Sequence, residues 1–141
     1  MMNVQNEKCV MIIDENQPIG IIANTNAILG ITMGMKNPDV VGDDVADKDS
    51  NMHMGIIKFP VPILKGSKEL IKELRTELFS EKYSDLMVAD FSELAQGCKT
   101  YDEYINKMAD CSETDLSYIG IAICGNKKKI NKLTGNLPLL R

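Results

Sequence analysis

The sequence predicts an α/β domain of three layers, with helices on both faces of a mixed or mainly parallel sheet of four or five strands. Apolar segments of strand length recur along the chain, and each is followed by residues with helical spacing or helix-capping side chains. Such alternation is typical of a largely parallel sheet with right-handed crossovers and helices on both faces. The length of 141 residues suits one domain, so we predict a single domain over residues 1–141.

The first predicted strand and helix are strongly apolar. Cys9–Ile13 has no charged residue, as expected for a strand covered on both faces. After a turn, Pro18 suits the first turn of a helix from about Ile19 to Met35. Each interior glycine of that helix costs about 1 kcal/mol relative to alanine. We therefore expect packing against the sheet or a partner helix to stabilise it.

The middle of the chain predicts a loop, a strand and an amphipathic helix. The acidic segment 37–51 lacks the spacing of a calcium loop and is expected to be solvated. A strand is predicted over Gly55–Phe59, and the two prolines after it predict an edge or crossing segment next. Ser67 is expected to cap a helix through about Lys82. Its apolar face comprises Leu70, Ile71, Leu74, Leu78 and Phe79, and its polar face Lys68, Lys72, Glu73, Arg75 and Glu77.

Two further strands complete the predicted sheet. They lie over Asp85–Asp90 and Ile119–Cys124. Between them, Thr100 and Glu103 form a capping box for the helix that follows. After the last strand, Asn126 is expected to cap a short lysine-rich helix.

Composition excludes several classes of function. The formal net charge is -4 and aromatic residues make up 5%, so we expect neither a general attraction to a phosphate backbone nor a base-stacking surface. Nucleic acid is therefore not an expected partner. No apolar segment reaches the roughly 18 residues of a membrane span, and the N-terminus lacks a signal-peptide core. We expect a cytoplasmic protein that contacts no membrane.

The cysteines do not predict a metal or cofactor site. The chain has four of them and one histidine, with no Cys-x-x-Cys pair, whereas zinc sites usually draw four ligands from close pairs. Cys9 and Cys124 lie in predicted strands, where a free thiol behaves as a small hydrophobic residue. We predict reduced cysteines, no metal and no cofactor.

Several segments resemble known families. Gly120–Ile123 with Leu133–Leu137, and Leu86–Asp90 with Ala95-Gln96, are similar to the last strand with its tail and to the third strand of type 2 peptidyl-tRNA hydrolases. Further motifs resemble the domain of unknown function two-thousand family, which shares that scaffold: Asn24 in Ala-Asn-Thr-Asn-Ala, Val41-Gly42, Tyr101-Asp102-Glu103-Tyr104 and Lys132-Leu133-Thr134-Gly135. The resemblance implies the hydrolase fold over nearly the whole chain. No biochemical activity comes with the second family.

The chain departs from the hydrolases where their chemistry resides. Their first helix starts with a Gly-Lys-x-x-x-Gln-x-x-His motif. With that glutamine placed on Asn24, Gly20 replaces the lysine and Ala27 the histidine. Cleavage of the ester needs charge stabilisation and proton transfer, which glycine and alanine do not supply.

We therefore predict a non-hydrolytic protein that binds a small ligand or a protein partner in the cleft of the hydrolase scaffold. The alternatives are an enzyme of altered chemistry that uses Asp90 and His53, and peptidyl-tRNA hydrolysis itself. The candidate ligand-binding residues are Asn24, Asn26, His53, Asp90 and Gln96. Each has a structural alternative, because the asparagines suit backbone hydrogen bonds in a helix, Asp90 suits a turn, and His53 and Gln96 suit solvent.

Two expectations concern partners. The segment Lys127–Lys132 is expected to be the solvated face of a short helix, with a phosphate contact as the alternative. A homodimer is predicted because the first helix is rich in glycine and alanine, the chain has nine methionines, and the resembling hydrolases pair as dimers.

Overall fold

The computed structural model describes residues 6–141, in which one four-stranded sheet is surrounded by five helices. The elements are β1 (Glu7–Asp14), α1 (Ile19–Lys36), β2 (Val45–Ala46), β3 (Met52–His53), β4 (Ile63–Gly66), α2 (Lys68–Leu78), β5 (Met87–Ser92), α3 (Glu93–Gly97), α4 (Tyr101–Ala109), β6 (Tyr118–Asn126) and α5 (Lys127–Thr134). Single 3-10 turns occur at Pro38–Val40, Glu81–Tyr83 and Glu113–Asp115. Residues 1–5, which the single-domain prediction includes, lie outside the described residues.

The sheet is mixed, in the order β4-β1-β6-β5. β1 runs parallel to β4, whereas β6 runs antiparallel to both of its neighbours. This confirms an α/β fold with a mixed four-stranded sheet, but the expectation of a largely parallel sheet was wrong. The reason is the connection between β5 and β6, because α3 packs beside β5 and the chain then returns without crossing the sheet. A separate hairpin pairs β2 with β3.

Helices cover both faces of the sheet and form the three predicted layers. α1 packs on one face, where Leu29 and Met33 contribute to its core. α2 and α5 pack on the other, where Ile71 and Ile130 are fully buried. β1 and β6 lie at the centre of the sheet, so Cys9–Ile13 and Ile119–Cys124 are buried on both faces and are continuously apolar. No helix in the described part of the chain is long and apolar enough to cross a membrane.

The predicted helix caps are confirmed. The Ser67 hydroxyl accepts a hydrogen bond from the Leu70 N–H at 3.1 Å, and the Thr100 hydroxyl accepts one from the Glu103 N–H at 3.1 Å. The Asn126 side-chain oxygen accepts from the Lys129 N–H at 3.0 Å and begins α5. These signals are local, so they could be read from the chain without its tertiary structure.

Two predicted segments differ from the structure. Gly55–Phe59 is not a strand of the sheet, and only Ile57 forms an isolated bridge, with Val41. The strand that joins the sheet is β4, which follows the prolines and lies at the edge, as prolines require. α2 ends at Leu78 rather than near Lys82, and α3 was not predicted.

The polar face predicted for α2 was wrong at one position. Arg75 is only 9% exposed, because it lies four residues after Ile71 on the side of the helix that faces the sheet. Phe79, predicted as apolar core, is the C-terminal cap residue and is 57% exposed. Its ring stacks on Arg75, with the guanidinium carbon 3.7 Å from the ring centroid.

The prediction of separate thiols at Cys9 and Cys124 was also wrong. The two residues are direct partners in the β1–β6 ladder, with Cα atoms 4.2 Å apart, and they form a disulfide across the two central strands. They are 115 residues apart in sequence, so only the strand register brings them together. Cys98 and Cys111 are free thiols.

Candidate functional site

The five predicted site residues do not meet in one place. Asn24 is exposed on the outer surface of α1, on the face that also carries Gly20 and Ala27. Asn26 donates a hydrogen bond to the Ile22 carbonyl at 2.9 Å, while its side-chain oxygen is buried without a partner among the described residues. Asp90 points from β5 towards α2, on the opposite face of the sheet from α1.

His53 and Gln96 lie on exposed segments. The Nε2 atom of His53 lies 2.8 Å from the Asp47 Oδ2 atom in the β2–β3 hairpin, and His53 lines none of the described cavities. This hydrogen bond holds the pKa of Asp47 below its usual value. Gln96 is exposed on α3, where its neighbour Ala95 lines a cavity and Gln96 does not. Of the five, Asp90 alone lines a described cavity.

Asp90 is held in a nearly buried ion pair. The Arg75 Nε–H donates to the Asp90 Oδ2 atom at 2.7 Å, and the two side chains are 10% and 18% exposed. With Phe79 stacked on its other side, the guanidinium is fixed in place. The Asp90 carboxylate is therefore engaged by a positioned cation.

A second polar cluster closes the same face of the sheet. Glu113 accepts hydrogen bonds from the Lys72 ammonium at 2.6 Å, the Tyr118 hydroxyl at 2.9 Å and the Thr76 hydroxyl at 3.0 Å. Burial opposes ionisation of Glu113, but these hydrogen bonds outweigh it and lower its pKa. Burial and the bond to Glu113 raise the pKa of Tyr118. The cluster ties the turn before β6 to α2, which is a structural role.

The cavity that contains Asp90 lies along the outer edge of β5, and we call it the edge cavity. It has a volume of ≈ 520 Å³. Residues 88–91 of β5 form its floor, and Ile28 and Thr32 of α1 form one wall. The other wall includes Tyr101 and Tyr104 of α4, whose rings meet edge to face with centroids 5.5 Å apart. One wall therefore presents the aliphatic side chain of Ile28 and the other presents two aromatic rings.

On the floor of the edge cavity, some backbone N–H and C=O groups of β5 form no hydrogen bond within the sheet. The 4.2 Å Cα separation of Cys9 and Cys124 marks a pair without mutual hydrogen bonds, so the Cys124 backbone points towards β5. Two residues after Cys9, the Met11 N–H likewise points away from β6 and donates to the Pro62 carbonyl at 3.0 Å. The backbone N–H and C=O groups of Cys124 therefore pair with those of Met87, its partner in β5. Hydrogen bonding alternates along the strand, so Val88 and Asp90 direct their N–H and C=O groups away from β6 and into the cavity.

Most of the residues that shape this cavity were not predicted from the sequence. Tyr101 and Tyr104 are three apart on one helix, a spacing that puts both rings on one face and was a readable signal. Arg75, which does not line the cavity but pairs with Asp90, also had a signal, because a charge four residues after Ile71 falls on the apolar stripe. Thr32 and Lys99 had no sequence signal that predicted a place at the cavity. Their place at the cavity depends on the strand order.

The chemistry of the edge cavity favours binding over catalysis. Its potential nucleophile, the Cys98 thiol, donates to the Leu94 carbonyl at 3.2 Å and has no histidine beside it. Burial raises the pKa of Tyr104, which keeps its hydroxyl protonated. Within residues 6–141, no three His, Cys, Asp or Glu side chains are grouped as metal ligands.

Comparisons with known proteins place the chain in a family and give no activity. Residues 7–141 match the model of a family described as protein of unknown function (DUF2000). Among solved structures, Atu0240, a protein of unknown function from Agrobacterium tumefaciens strain C58, is similar in fold with a TM-score of 0.85. It shares 15% identity over 95% of this chain and 97% of its own. The sequence has no match among curated proteins.

Proposed function

Because the chain belongs to the DUF2000 family, whose description assigns no activity, we propose its function from the geometry of the site. It is a non-hydrolytic binding protein on a scaffold like that of type 2 peptidyl-tRNA hydrolases, formed by residues 1–141 as one domain. Its ligand is an extended peptide segment of a protein partner, which adds to β5 as a further strand in the edge cavity. A small ligand in the same cavity is the second candidate.

The unpaired edge of β5 carries this proposal. Val88 and Asp90 each offer one N–H and one C=O group, the pattern that an added strand pairs with. Among residues 6–141, no other backbone or side chain forms a hydrogen bond with these groups outside the sheet. Proteins usually cover or disrupt such an edge. Here α1 and α4 flank the edge on its two sides but leave its N–H and C=O groups accessible in the cavity.

The walls of the edge cavity suggest what the peptide carries. Side chains of a strand alternate between its two faces, so a bound peptide would direct apolar groups towards Ile28 on one side and Tyr104 on the other. Lys99 also lines the cavity, and its ammonium has no carboxylate within 4.0 Å in the part of the chain that the structure describes. An apolar peptide with an acidic residue or a terminal carboxylate therefore fits best.

The proposal is tested with a displayed library of random peptides of about eight residues, long enough to span the edge. Val88→Pro removes an N–H that points into the cavity and no bond to β6, so the protein should stay folded. We expect this variant to bind the selected peptides about tenfold more weakly, as expected for loss of one main-chain hydrogen bond. Val88→Thr keeps the N–H and is the matched control. Fluorescence anisotropy of labelled peptides gives the affinities.

Two results would contradict the peptide proposal. Equal affinities of Val88→Pro and Val88→Thr would show that the peptide does not pair with β5. A library that yields no binder to the wild-type protein would leave the small-ligand candidate for this cavity. Ala89→Pro serves as a reference, because its N–H pairs with β6 and its loss should destabilise the fold.

The enzymatic alternatives have less support. Catalysis by Asp90 and His53 requires two groups that are engaged elsewhere, with Arg75 and with Asp47 respectively. Peptidyl-tRNA hydrolysis requires the lysine and histidine that Gly20 and Ala27 replace. These two residues lie with Asn24 on the exposed, uncharged face of α1, away from Asp90.

A homodimer is proposed through that outer face of α1. No charged residue lies between Ile19 and Met35, yet Ile31 is 74% exposed and Met35 79%. An uncharged helix face that exposes large apolar side chains is typical of a surface that packs against a partner. We expect light scattering to give about twice the 15.6 kDa chain mass, and Ile31→Glu to shift it to the monomer.

The matched control for the dimer is Ile105→Glu, which adds the same charge at an exposed isoleucine on α4. A monomer mass for the wild-type protein across a wide concentration range, or dissociation by both variants alike, would reject the α1 interface.

The proposed location remains the cytoplasm. The free thiols of Cys98 and Cys111 support it. The Cys9–Cys124 disulfide argues the other way, since disulfides persist mainly in oxidising compartments.

A further inference from the structure

A second concave surface, away from the edge cavity, lies between α2, the Glu81–Tyr83 turn and α5. It has a volume of ≈ 600 Å³, and we call it the basic cavity. Its lining includes the lysine side chains of Lys82, Lys128, Lys129 and Lys132 and the apolar side chains of Leu74 and Leu133. It thus combines positive charge with apolar surface.

The helical spacing of α5 places three of these lysines at the cavity. Asn126 caps this helix, and Ile130 and Thr134 are buried against the sheet at 0% and 1% exposure. With that face buried, Lys128 and Lys132, four residues apart, point together towards the turn that carries Lys82. The sequence pattern of α5 therefore directs its charges to one place.

Most of these charges have no counter-charge among residues 6–141. Lys129 pairs with Asp85, with Nζ and Oδ1 2.8 Å apart. For Lys82, Lys128 and Lys132, no carboxylate oxygen of residues 6–141 lies within 4.0 Å. The carboxylate that lines the cavity, Glu77, instead accepts a hydrogen bond from the Tyr83 hydroxyl at 2.9 Å.

Uncompensated ammonium groups around one hollow favour a bound anion. Like charges repel one another, and an anion between them removes that repulsion. Lysine is a common phosphate ligand because it acts as a compact point charge with three donors. The ammonium groups of Lys82 and Lys129 also lie 5.3 Å and 5.8 Å from the Tyr83 ring centroid, so the charge borders an aromatic surface.

We propose that the basic cavity binds a small phosphorylated molecule. Its phosphate groups contact Lys82, Lys128 and Lys132, and its apolar or aromatic part lies against Leu74 and Leu133. The volume falls in the range of small-molecule sites. A nucleic acid strand fits less well, because its long phosphate backbone would meet a chain of net charge -4 beyond this one cluster.

This site is independent of the function proposed for the edge cavity. None of the residues that line the basic cavity lines the edge cavity. The Val88→Pro variant should therefore leave phosphate binding unchanged, and failure of either proposal leaves the other standing.

The test is calorimetric titration at low salt with pyrophosphate and with ADP as probes. We expect both to bind, ADP more tightly because its adenosine adds apolar contact, and both more weakly as salt is added. Lys128→Gln with Lys132→Gln should weaken ADP binding at least about tenfold. Lys127→Gln with Lys58→Gln removes the same charge outside the cavity and should leave affinity nearly unchanged. Thermal unfolding checks that both double variants are folded.

Three outcomes would overturn the proposal. The first is no heat of binding with either probe at concentrations on the order of 1 mM. The second is an equal loss of affinity in the two double variants, which would show a general charge effect. The third is tighter binding of a single-stranded RNA of about ten nucleotides than of ADP, lost in Lys128→Gln with Lys132→Gln, which would assign the cluster to nucleic acid.

Discussion

Replacement of Arg75 by alanine is expected to lower the free energy of unfolding by about 3–5 kcal/mol. The guanidinium is the cation paired with Asp90, at 2.7 Å, and both side chains are largely shielded from water. Without it, the Asp90 carboxylate remains in a poorly solvated place with no counter-charge. The stacking of Phe79 on the guanidinium is lost as well. Chemical denaturation followed by circular dichroism measures the change.

The same helix offers a matched control for this measurement. Lys68 also forms an ion pair, with Glu93 at 2.8 Å, but both side chains are nearly half exposed. Exposed pairs contribute little to stability because water screens them, so Lys68→Ala should lower the free energy of unfolding far less than Arg75→Ala does. Similar losses in the two variants would show that burial of the Arg75–Asp90 pair does not matter. That result would reopen a chemical role for Asp90.

The second prediction is that the protein does not hydrolyse peptidyl-tRNA. Purified protein should leave a peptidyl-tRNA with a blocked amino group intact under conditions where a type 2 hydrolase clears it. Loss of one charge-stabilising group commonly lowers a rate by about 10²–10³-fold, or about 2.7–4 kcal/mol. The resemblance to the hydrolases aligns Gly20 and Ala27 with their lysine and histidine, so two such groups would be missing. The acidic net charge also disfavours binding of the tRNA.

A released tRNA product would require two further measurements. Turnover that disappears in a folded Asp90→Asn protein would refute this prediction and place an active site at β5. Turnover that is unchanged by Asp90→Asn would indicate a contaminating enzyme. The thermal unfolding of Asp90→Asn must be compared with that of the wild-type protein, because the substitution also weakens the Arg75 pair.

The elements of the fold were predictable where the signal is local. The caps at Ser67, Thr100 and Asn126 act within a few residues, and the structure confirms each of them. The position of β4 was missed because Gly55–Phe59 has the composition of a strand, while the segment that pairs with β1 follows two prolines. Pairing with β1 decided between these two segments, and pairing is a long-range property.

The candidate site was less predictable than the fold. Asp90 was identified because it lies at the C-terminal end of a predicted strand, but its partner Arg75 comes from a different element and was assigned to the solvent face. Whether β5 is central or at the edge depends on strand order, which no local pattern encodes. The pairing of Cys9 with Cys124 needs the β1–β6 register in the same way. Each of these facts depends on contacts between distant segments.

The central position of β6 has a consequence for how the chain is made. A ribosome delivers β1 first, and its long antiparallel partner appears only after α1, β4, α2, β5, α3 and α4 have left the exit tunnel. Until β6 is made, no strand joins β1 to β5. The sheet is then incomplete, and the apolar residues of these strands are exposed. Folding of the sheet therefore depends on the late arrival of one strand, which makes it slow relative to a helical bundle of this size.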